Sequence, residues 1–139
     1  MTTYYDSSVL LRVLLGQPGG LPDWRARRGG IASALVKVEC LRTLDRLRVR
    51  ANLTDEIFAP RREAAFRLLD ALDVVAIDDA VLERASQPFP TALRTLDAIH
   101  LATALLYRER SREEVILATH DAALGRAARA CGVPVLGAD

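Results

Sequence analysis

Four acidic residues, each set in or directly beside an apolar segment, are the residues of this chain best suited to do chemistry. They are Asp6, Glu39, Asp97 and Asp121. A carboxylate near a protein core is costly unless a partner pairs with it or a cation is coordinated by it. Because these acids are spread over the whole chain, we expect them to share one site. The occupant favoured by an all-oxygen acidic site is a hard divalent cation, Mg²⁺ or Mn²⁺.

Each acid also has a simpler interpretation that the sequence leaves open. Asp6 and Asp121 both precede apolar helical segments, so either could be no more than a helix N-cap. Glu39 could be a surface residue paired with Arg42 one turn later. Asp97 could be a first-turn acid that answers the helix dipole. The joint occurrence of all four favours a shared site over four separate coincidences.

Small hydroxyl side chains and histidines accompany the acids. Ser8 and Thr119 each lie two positions from an acid, within reach of a carboxylate or a metal-bound water. His100 follows Asp97 by three residues and can share its helical face. It could be a metal ligand or a general base, but we expect a histidine that supports the site or packs in the core. We expect His120 to point elsewhere.

The segments that must position these residues alternate between strand-like and helix-like patterns. Apolar periodicity and turn residues predict strands at 2–5, 31–33, 73–77, 115–118 and 133–136, and helices at 9–15, 34–50, 55–72, 79–85, 95–110 and 121–131. This alternation implies an α/β fold, a three-layer α/β/α sandwich around a mostly parallel central sheet. Ligands bind beyond the carboxyl ends of such strands, where both Asp6 and Asp121 fall.

The helix predicted at 34–50 carries a stripe of apolar residues at helical spacing. The stripe consists of Leu35, Val38, Leu41, Leu44 and Leu47. It predicts that this face packs into the core and that Glu39 lies away from it, on a side shared with Arg42, Thr43 and Arg46.

Length and composition indicate one domain spanning 1–139. Half of the residues are hydrophobic and 27% are charged, as in ordinary soluble globular domains. No run approaches the roughly 18 apolar residues of a membrane span, and the N-terminus does not resemble a signal peptide. The two cysteines, Cys40 and Cys131, form neither a disulfide framework nor a ligand-like spacing, and Cys40 is expected to be a buried small residue. We expect a reduced cytoplasmic protein with no membrane contact.

The net charge of +1 hides an uneven distribution of basic residues. Of the 19 Lys and Arg residues only Lys37 is a lysine, and the arginines cluster at 25–28, 42–50, 61–62 and 108–112. If the four acids converge inside, the remaining surface is net basic, which suits a phosphate backbone. The alternative is a coding bias toward arginine on solvated faces.

Four segments carry the acids in a recognisable order. They are Tyr4-Tyr5-Asp6-Ser7-Ser8, Val36-Lys37-Val38-Glu39-Cys40-Leu41, Leu93 to Ala104 with Asp97 near its middle, and Ala118-Thr119-His120-Asp121 with Gly132-Val133-Pro134-Val135 beyond it. They resemble the successive motifs of the PIN-domain ribonucleases. The resemblance covers nearly the whole chain, at a length typical of the VapC toxins of toxin–antitoxin (VapBC) pairs.

This resemblance implies a Mg²⁺- or Mn²⁺-dependent endoribonuclease. The family's metal ligands carry over to Asp6, Glu39, Asp97 and Asp121, and its supporting hydroxyls to Ser8 and Thr119. The family also implies an RNA substrate, a homodimer and a small VapB-like antitoxin that covers the active-site groove. Some members carry a further acid two places after the fourth, where this chain has Ala123, so the number of metal ions stays open.

Two other classes of protein remain as alternatives. One is a catalytically inactive PIN-fold module that binds only a protein partner. The other is a phosphoacceptor or phosphatase α/β domain. A receiver domain needs a lysine near the end of a late strand, and the only lysine is Lys37. A phosphatase of the haloacid dehalogenase type needs Asp-x-Asp, where this chain has Asp6-Ser7-Ser8. Both versions are therefore disfavoured.

Overall fold

Two adjacent tyrosines in the first strand show how the sheet divides the core. The computed structural model describes residues 1–21 and 29–139. Tyr4 and Tyr5 are both fully buried, but each belongs to a different hydrophobic cluster. Successive side chains of a strand point to opposite faces of a sheet, so the sheet is covered on both sides.

The described residues form a regular alternation of strands and helices, which we number in chain order. The strands are β1 (Thr2–Tyr5), β2 (Ile31–Ser33), β3 (Asp73–Val75), β4 (Val115–Ala118) and β5 (Val135–Leu136). The helices are α1 (Ser7–Leu14), α2 (Leu35–Arg50), α3 (Asp55–Asp70), α4 (Asp79–Ala85), α5 (Thr95–Ser111) and α6 (Ala122–Ala130).

All pairings between these strands are parallel, in the order β3-β2-β1-β4-β5. Tyr4 is in register with Ile31 of β2 on one side and with Leu117 of β4 on the other. The chain therefore builds outward from β1 in one direction and later returns to build from β4 in the other. The crevice beyond the carboxyl ends of β1 and β4 is the point where ligands bind in such sheets.

The two core clusters fill the two faces of the sheet. Leu101 and Leu105 of α5 and Leu124 of α6 pack with Tyr4 on one face. Val9, Val36 and Leu69, from α1, α2 and α3, pack with Tyr5 on the other. Helices on both faces of a parallel sheet make the three-layer sandwich, and the predicted fold class is confirmed.

The buried face of α2 differs from the predicted one. Its buried residues are Val36, Cys40 and Leu44, whereas Val38 of the predicted stripe is 58% exposed. The stripe was wrong because it counted only large apolar residues. The separate expectation that Cys40 is a buried small residue is confirmed, since it packs in the cluster that contains Tyr5, Val9 and Val36. With Cys40 facing inward, the neighbouring Glu39 is brought toward the core.

Two strands are also shorter than predicted, since β3 ends at Val75 and β5 begins only at Val135. Pro134 has no amide hydrogen to donate to a ladder, and its carbonyl still accepts a hydrogen bond from the amide of Leu117. Among the described helices none is long and apolar enough to cross a membrane.

Candidate active site

Asp6 stands immediately after β1 and is 3% exposed. It occupies the N-cap position of α1, but its side chain makes no capping hydrogen bond. Its Oδ2 instead accepts hydrogen bonds from Ser8 Oγ at 2.7 Å and from Thr119 Oγ1 at 2.8 Å. A capping role therefore does not account for Asp6. The carboxylate is held at the crevice by two hydroxyls from different segments.

The same two hydroxyls join the ends of β1 and β4. Ser8 Oγ accepts from the amide of His120 at 2.9 Å, and Thr119 Oγ1 accepts from the amide of Asp121 at 3.0 Å. Each hydroxyl thus donates to Asp6 while accepting from the backbone of the loop after β4. Satisfied networks of this kind fix side-chain geometry in a buried setting.

Glu39 reaches the crevice from α2 through a histidine of α5. His100 is fully buried, and its Nε2 lies 2.6 Å from Glu39 Oε1 and 3.5 Å from Asp6 Oδ1. The other ring nitrogen, Nδ1, lies 2.7 Å from the hydroxyl of Tyr4. The suggested surface pair of Glu39 with Arg42 is wrong, since Arg42 pairs with Asp45.

Asp97 and Asp121 complete the acidic group. Asp97 lies half-buried in the first turn of α5. This position also agrees with the alternative that Asp97 is a first-turn acid beside the positive end of the helix dipole. Asp121 is the N-cap of α6, and its Oδ1 accepts from the amide of Leu124 at 2.9 Å. Asp121 therefore caps α6, as the simpler interpretation of this residue allowed, and its role as a metal ligand stays a prediction.

Electrostatic coupling indicates that Asp97 lies within range of the charges of the other three acids. Burial raises the pKa of Asp97 to about 6, and the negative charges of Asp121, Asp6 and Glu39 add to the effect. Like charges that share a site disfavour the ionised form in this way. A perturbed carboxyl in a crevice is a common mark of a functional site.

The same charges act on the groups buried behind the acids. Burial alone lowers the pKa of His100, but the hydrogen bond to Glu39 and the charges of Asp6, Glu39 and Asp97 outweigh it and raise that pKa. Burial, with the charges of Glu39 and Asp6, raises the pKa of Cys40 to about 12. Cys40 is therefore a thiol at neutral pH and not a nucleophile.

The acidic group fits a hard cation in its chemistry more closely than in its spacing. Carboxylate oxygens are the ligands that Mg²⁺ and Mn²⁺ prefer, and the raised pKa of Asp97 reflects a local excess of negative charge. Within 1–21 and 29–139, however, no group of three or more His, Cys, Asp or Glu side chains is spaced to hold a metal ion. Glu39 is bonded to His100, and Asp121 caps α6.

The predicted acidic residues thus come from four elements to one crevice. The two histidines differ in their position relative to this crevice. His100 lies behind Glu39 and Asp6. His120 points away, as expected, since its Nδ1 donates to the carbonyl of Gly137 at 3.0 Å. Sequence reasoning missed Tyr4, which carries the hydrogen-bond chain into the core; a tyrosine in a buried strand gives no signal of such a role.

The arginine clusters are partly accounted for by internal contacts. Arg42 and Arg48 both pair with Asp45, and Arg110 pairs with Asp78. The cluster predicted at 25–28 lies outside the described residues. The basic surface expected around the acidic crevice therefore stays a prediction.

The parallel sheet and the acidic residues at the crevice beyond β1 and β4 indicate the class of protein to which this chain belongs. The family model of the PIN domain matches residues 3–130. The chain therefore belongs to the PIN-domain family, as a member of its VapC ribonuclease group.

Two relatives from Mycobacterium tuberculosis support that grouping. The chain is 33% identical to Ribonuclease VapC46 over 136 residues, which cover 96% of this chain and 95% of that protein. It is 31% identical to Ribonuclease VapC47 over 125 residues, which cover 85% of this chain and 83% of that protein.

Solved structures share the fold at lower identity. One is a toxin–antitoxin complex from Klebsiella pneumoniae, with a TM-score of 0.66 and 18% identity over 97% of this chain and 96% of that chain. The other is PAE2754 from Pyrobaculum aerophilum, with a TM-score of 0.65 and 19% identity over 97% of this chain and 83% of that one.

Proposed function

We propose that this protein is a Mg²⁺- or Mn²⁺-dependent endoribonuclease that acts in the cytoplasm as the toxin of a toxin–antitoxin pair. The proposal rests on one observation. Four acids converge at the crevice beyond β1 and β4, and the pKa of Asp97 is raised to about 6 there; the acids are Asp6, Glu39, Asp97 and Asp121. A site that concentrates negative charge so strongly is suited to a divalent cation, and the relatives are named ribonucleases.

The four acids would hold the cation, and each is supported differently. Asp6 is fixed by Ser8 and Thr119, and Glu39 is backed by His100. Asp97 is the half-buried acid at the open start of α5. When bound, such a cation supplies an activated water and a Lewis acid for the scissile phosphate.

Other groups of the site restrain one of these acids, and the neighbouring thiol offers no competing nucleophile. The hydroxyls of Ser8 and Thr119 fix one carboxylate oxygen of Asp6, so that Oδ2 is held while Oδ1 faces His100. The thiol of Cys40, with its raised pKa, offers no competing nucleophile. The proposed reaction is hydrolysis, in which water adds to phosphorus as one P–O ester bond breaks and the leaving oxygen takes up a proton.

The direct test is cleavage of RNA by the purified protein with Mg²⁺ or Mn²⁺, with Ca²⁺, and with excess chelator. We expect cleavage with the first two ions, poor cleavage with Ca²⁺ and none with chelator. The Asp97→Asn variant, purified in the same way, controls for contaminating nucleases. Undiminished cleavage in chelator contradicts the metal mechanism. Absence of cleavage and of metal binding favours the inactive protein-binding module.

The toxin role extends the proposal to a protein partner. The VapC relatives and a structural neighbour described as a toxin–antitoxin complex support it. The partner would be a small VapB-like antitoxin that places an Arg or Lys among the four carboxylates, in competition with the cation. A homodimer, as in the family resemblance, is part of the same proposal.

Growth of cells tests this role separately from the chemistry. Expression of the chain alone should arrest growth, and coexpression with the protein encoded by a neighbouring gene should restore it. The Asp97→Asn variant at equal soluble level is the matched control and should not arrest growth. Normal growth with soluble wild-type protein contradicts the toxin role.

A further inference from the structure

One arginine of α2, Arg46, has no carboxylate partner although an acid lies beside it in the sequence. That acid is Asp45, whose Oδ2 lies 3.1 Å from Arg42 Nη1 and whose Oδ1 lies 2.9 Å from Arg48 Nη2. Arg46 is exposed and forms no ion pair with any described residue. Its charge is therefore not balanced by an acid of the described chain.

The side chain of Arg46 is nevertheless held in a defined place. Its Nη2 donates to Thr43 Oγ1 at 3.2 Å, and that hydroxyl donates in turn to the backbone carbonyl of Glu39 at 2.8 Å. Long side chains of a helix lean toward its N-terminus, and these two bonds show that Arg46 does so. Its guanidinium therefore lies against the turn of α2 that follows Glu39.

Glu39 connects this guanidinium to the acidic crevice. Residues four apart on a helix are neighbours on one face, with Cβ atoms about 5–6 Å apart, so Thr43 adjoins Glu39. The carboxylate of Glu39 is bonded to His100 and not to Arg46, and His100 Nε2 also lies 3.5 Å from Asp6 Oδ1. The unpaired cation therefore lies beside the acids without neutralising them.

This juxtaposition suits a chain of phosphates. Every nucleotide of a single strand carries a phosphate, so a chain with one phosphate at the acids necessarily brings another anion close to them. A guanidinium can donate two parallel hydrogen bonds to the oxygens of a phosphate. One hydrogen bond to Thr43 leaves the other N–H groups of Arg46 free for such a contact. A protein segment has no comparable repeat of anions that would require a charge at this place.

We propose that Arg46 binds a phosphate of single-stranded RNA that flanks the scissile one, and so aligns the chain with the acidic crevice. Contacts to phosphates fix the register of a nucleic acid and carry no sequence information directly. Arg46 therefore positions RNA of any sequence. The inference rests on the proposed ribonuclease function, for which it names a residue that positions the substrate.

Two variants separate the charge of Arg46 from its placement. Arg46→Gln removes the charge, whereas Thr43→Val keeps it and removes the hydroxyl that holds the guanidinium. Arg112→Gln is the matched control, because Arg112 is also exposed and forms no ion pair with any described residue. It follows the other end of α5, roughly 22 Å from Asp97 at the helical rise of about 1.5 Å per residue. Thermal melting of the variants establishes that they are folded.

The first measurement is RNA binding by protein that carries Asp97→Asn, so that the result does not depend on cleavage. A short single-stranded RNA labelled with fluorescein is titrated at constant Mg²⁺ and increasing KCl. Arg46→Gln should raise Kd by about three- to tenfold. The slope of log Kd against log salt should become shallower by up to about 0.7, the value for one phosphate contact on a single strand. Thr43→Val should raise Kd by about two- to threefold with an unchanged slope, since the charge remains.

The second measurement locates the phosphate. A methylphosphonate, which carries no charge, replaces one phosphate at a time along the same RNA. Protein with Arg46 intact should lose affinity at one particular linkage besides the scissile one. Arg46→Gln should be insensitive to the substitution at that linkage, and Arg112→Gln should remain sensitive to it.

These results separate the inference from the catalytic proposal. A linkage whose effect depends on Arg46 supports the inference even if the wild-type protein cleaves no RNA. Equal losses of affinity in Arg46→Gln and Arg112→Gln show a general effect of charge and overturn it. Unchanged RNA binding by Arg46→Gln also overturns it, whether or not that variant binds a copurifying protein more weakly. So does a failure of the Asp97→Asn protein to bind RNA at low salt.

Discussion

His100 and Glu39 lie 61 residues apart in the sequence, and their side chains meet in a hydrogen bond of 2.6 Å between Nε2 and Oε1. The contact joins α5 to α2 across the acidic crevice. The same nitrogen lies 3.5 Å from Asp6 Oδ1, so one imidazole faces two of the four acids. Glu39 is therefore held toward the site and not toward the solvent-exposed arginines of its own helix.

This geometry predicts the effect of Glu39→Gln. The amide keeps the shape of the side chain but removes the charge that faces His100 and a cation. We expect RNA cleavage at limiting Mg²⁺ to fall roughly 10–100-fold, as for other partners of metal sites. The comparison is with Asp45→Asn, which removes an exposed acid of the same helix that pairs with Arg42 and Arg48. Equal rates for Glu39→Gln and Asp45→Asn would remove Glu39 from the site.

Asp97 predicts a dependence of stability on pH. An unfolded Asp has a pKa of about 3.9, whereas burial and the neighbouring acids raise the pKa of Asp97 to about 6 in the folded chain. Between these values the folded state binds more protons than the unfolded state, so stability falls as pH rises from about 4 to about 6. Asp97→Asn should remove this loss.

Melting curves in chelator, at about pH 4.5 and pH 7, test this prediction. Because Asp97 is half-exposed, solvent screening reduces the gain of the variant at pH 7 to about 1 kcal/mol, or roughly 3–5 °C in Tm. Asp70→Asn, at an exposed position, is the control. A variant that is no more stable than wild type at pH 7 contradicts the charge crowding. The Asp97→Asn variant should nevertheless cleave RNA about a hundredfold more slowly than the wild type.

The strands and most helix boundaries were predictable because they depend on local pattern. The predicted bounds of β1, β2, β4 and α4 match the structure, since alternation and capping residues mark them within a few positions. The placement of Asp6 and Asp121 at strand ends followed directly from these bounds. Because the strands pair in parallel, both acids must then lie at the same edge of the sheet.

Tertiary packing determined what the sequence did not predict. The buried face of α2 was predicted to include Val38, which is exposed, although the burial of Cys40 was predicted correctly. Periodicity alone cannot choose between two overlapping apolar stripes when a small residue fits the interface better. The contact of Tyr4 with His100 joins residues that are 96 positions apart in the sequence, so no local pattern reveals it.

Substitutions at Thr119 separate the effect of its hydroxyl from the effect of its side-chain volume. Its Oγ1 donates to Asp6 and accepts from the amide of Asp121, and the residue is fully buried. Thr119→Val keeps the volume but leaves that amide unpaired, so we expect a loss of about 1–3 kcal/mol and weaker Mn²⁺ binding. Thr119→Ser keeps the hydroxyl and should retain Mn²⁺ affinity. Calorimetric titration of Mn²⁺ checks both, and equal affinities for the two variants contradict the positioning role.

Tyr4→Phe tests the deepest member of the chain of hydrogen bonds. The hydroxyl lies 2.7 Å from His100 Nδ1, and the pKa of His100 is raised by Glu39 and the nearby acids despite its burial. The stabilisation from a raised histidine pKa is fully present below the unfolded value of about 6.5 and is lost as pH rises through the folded value. When His100 is charged, both ring nitrogens donate, so the Tyr4 hydroxyl accepts a charge-assisted hydrogen bond. That bond is worth about 1.5–3 kcal/mol, against about 0.5–1.5 kcal/mol for a neutral one.

Tyr4→Phe should therefore cost more stability near pH 6 than near pH 9, measured by urea unfolding. Tyr107→Phe, which alters a half-buried tyrosine outside this chain, should cost the same at both pH values. An equal loss at both pH values for Tyr4→Phe as well would show that His100 stays neutral in the folded protein.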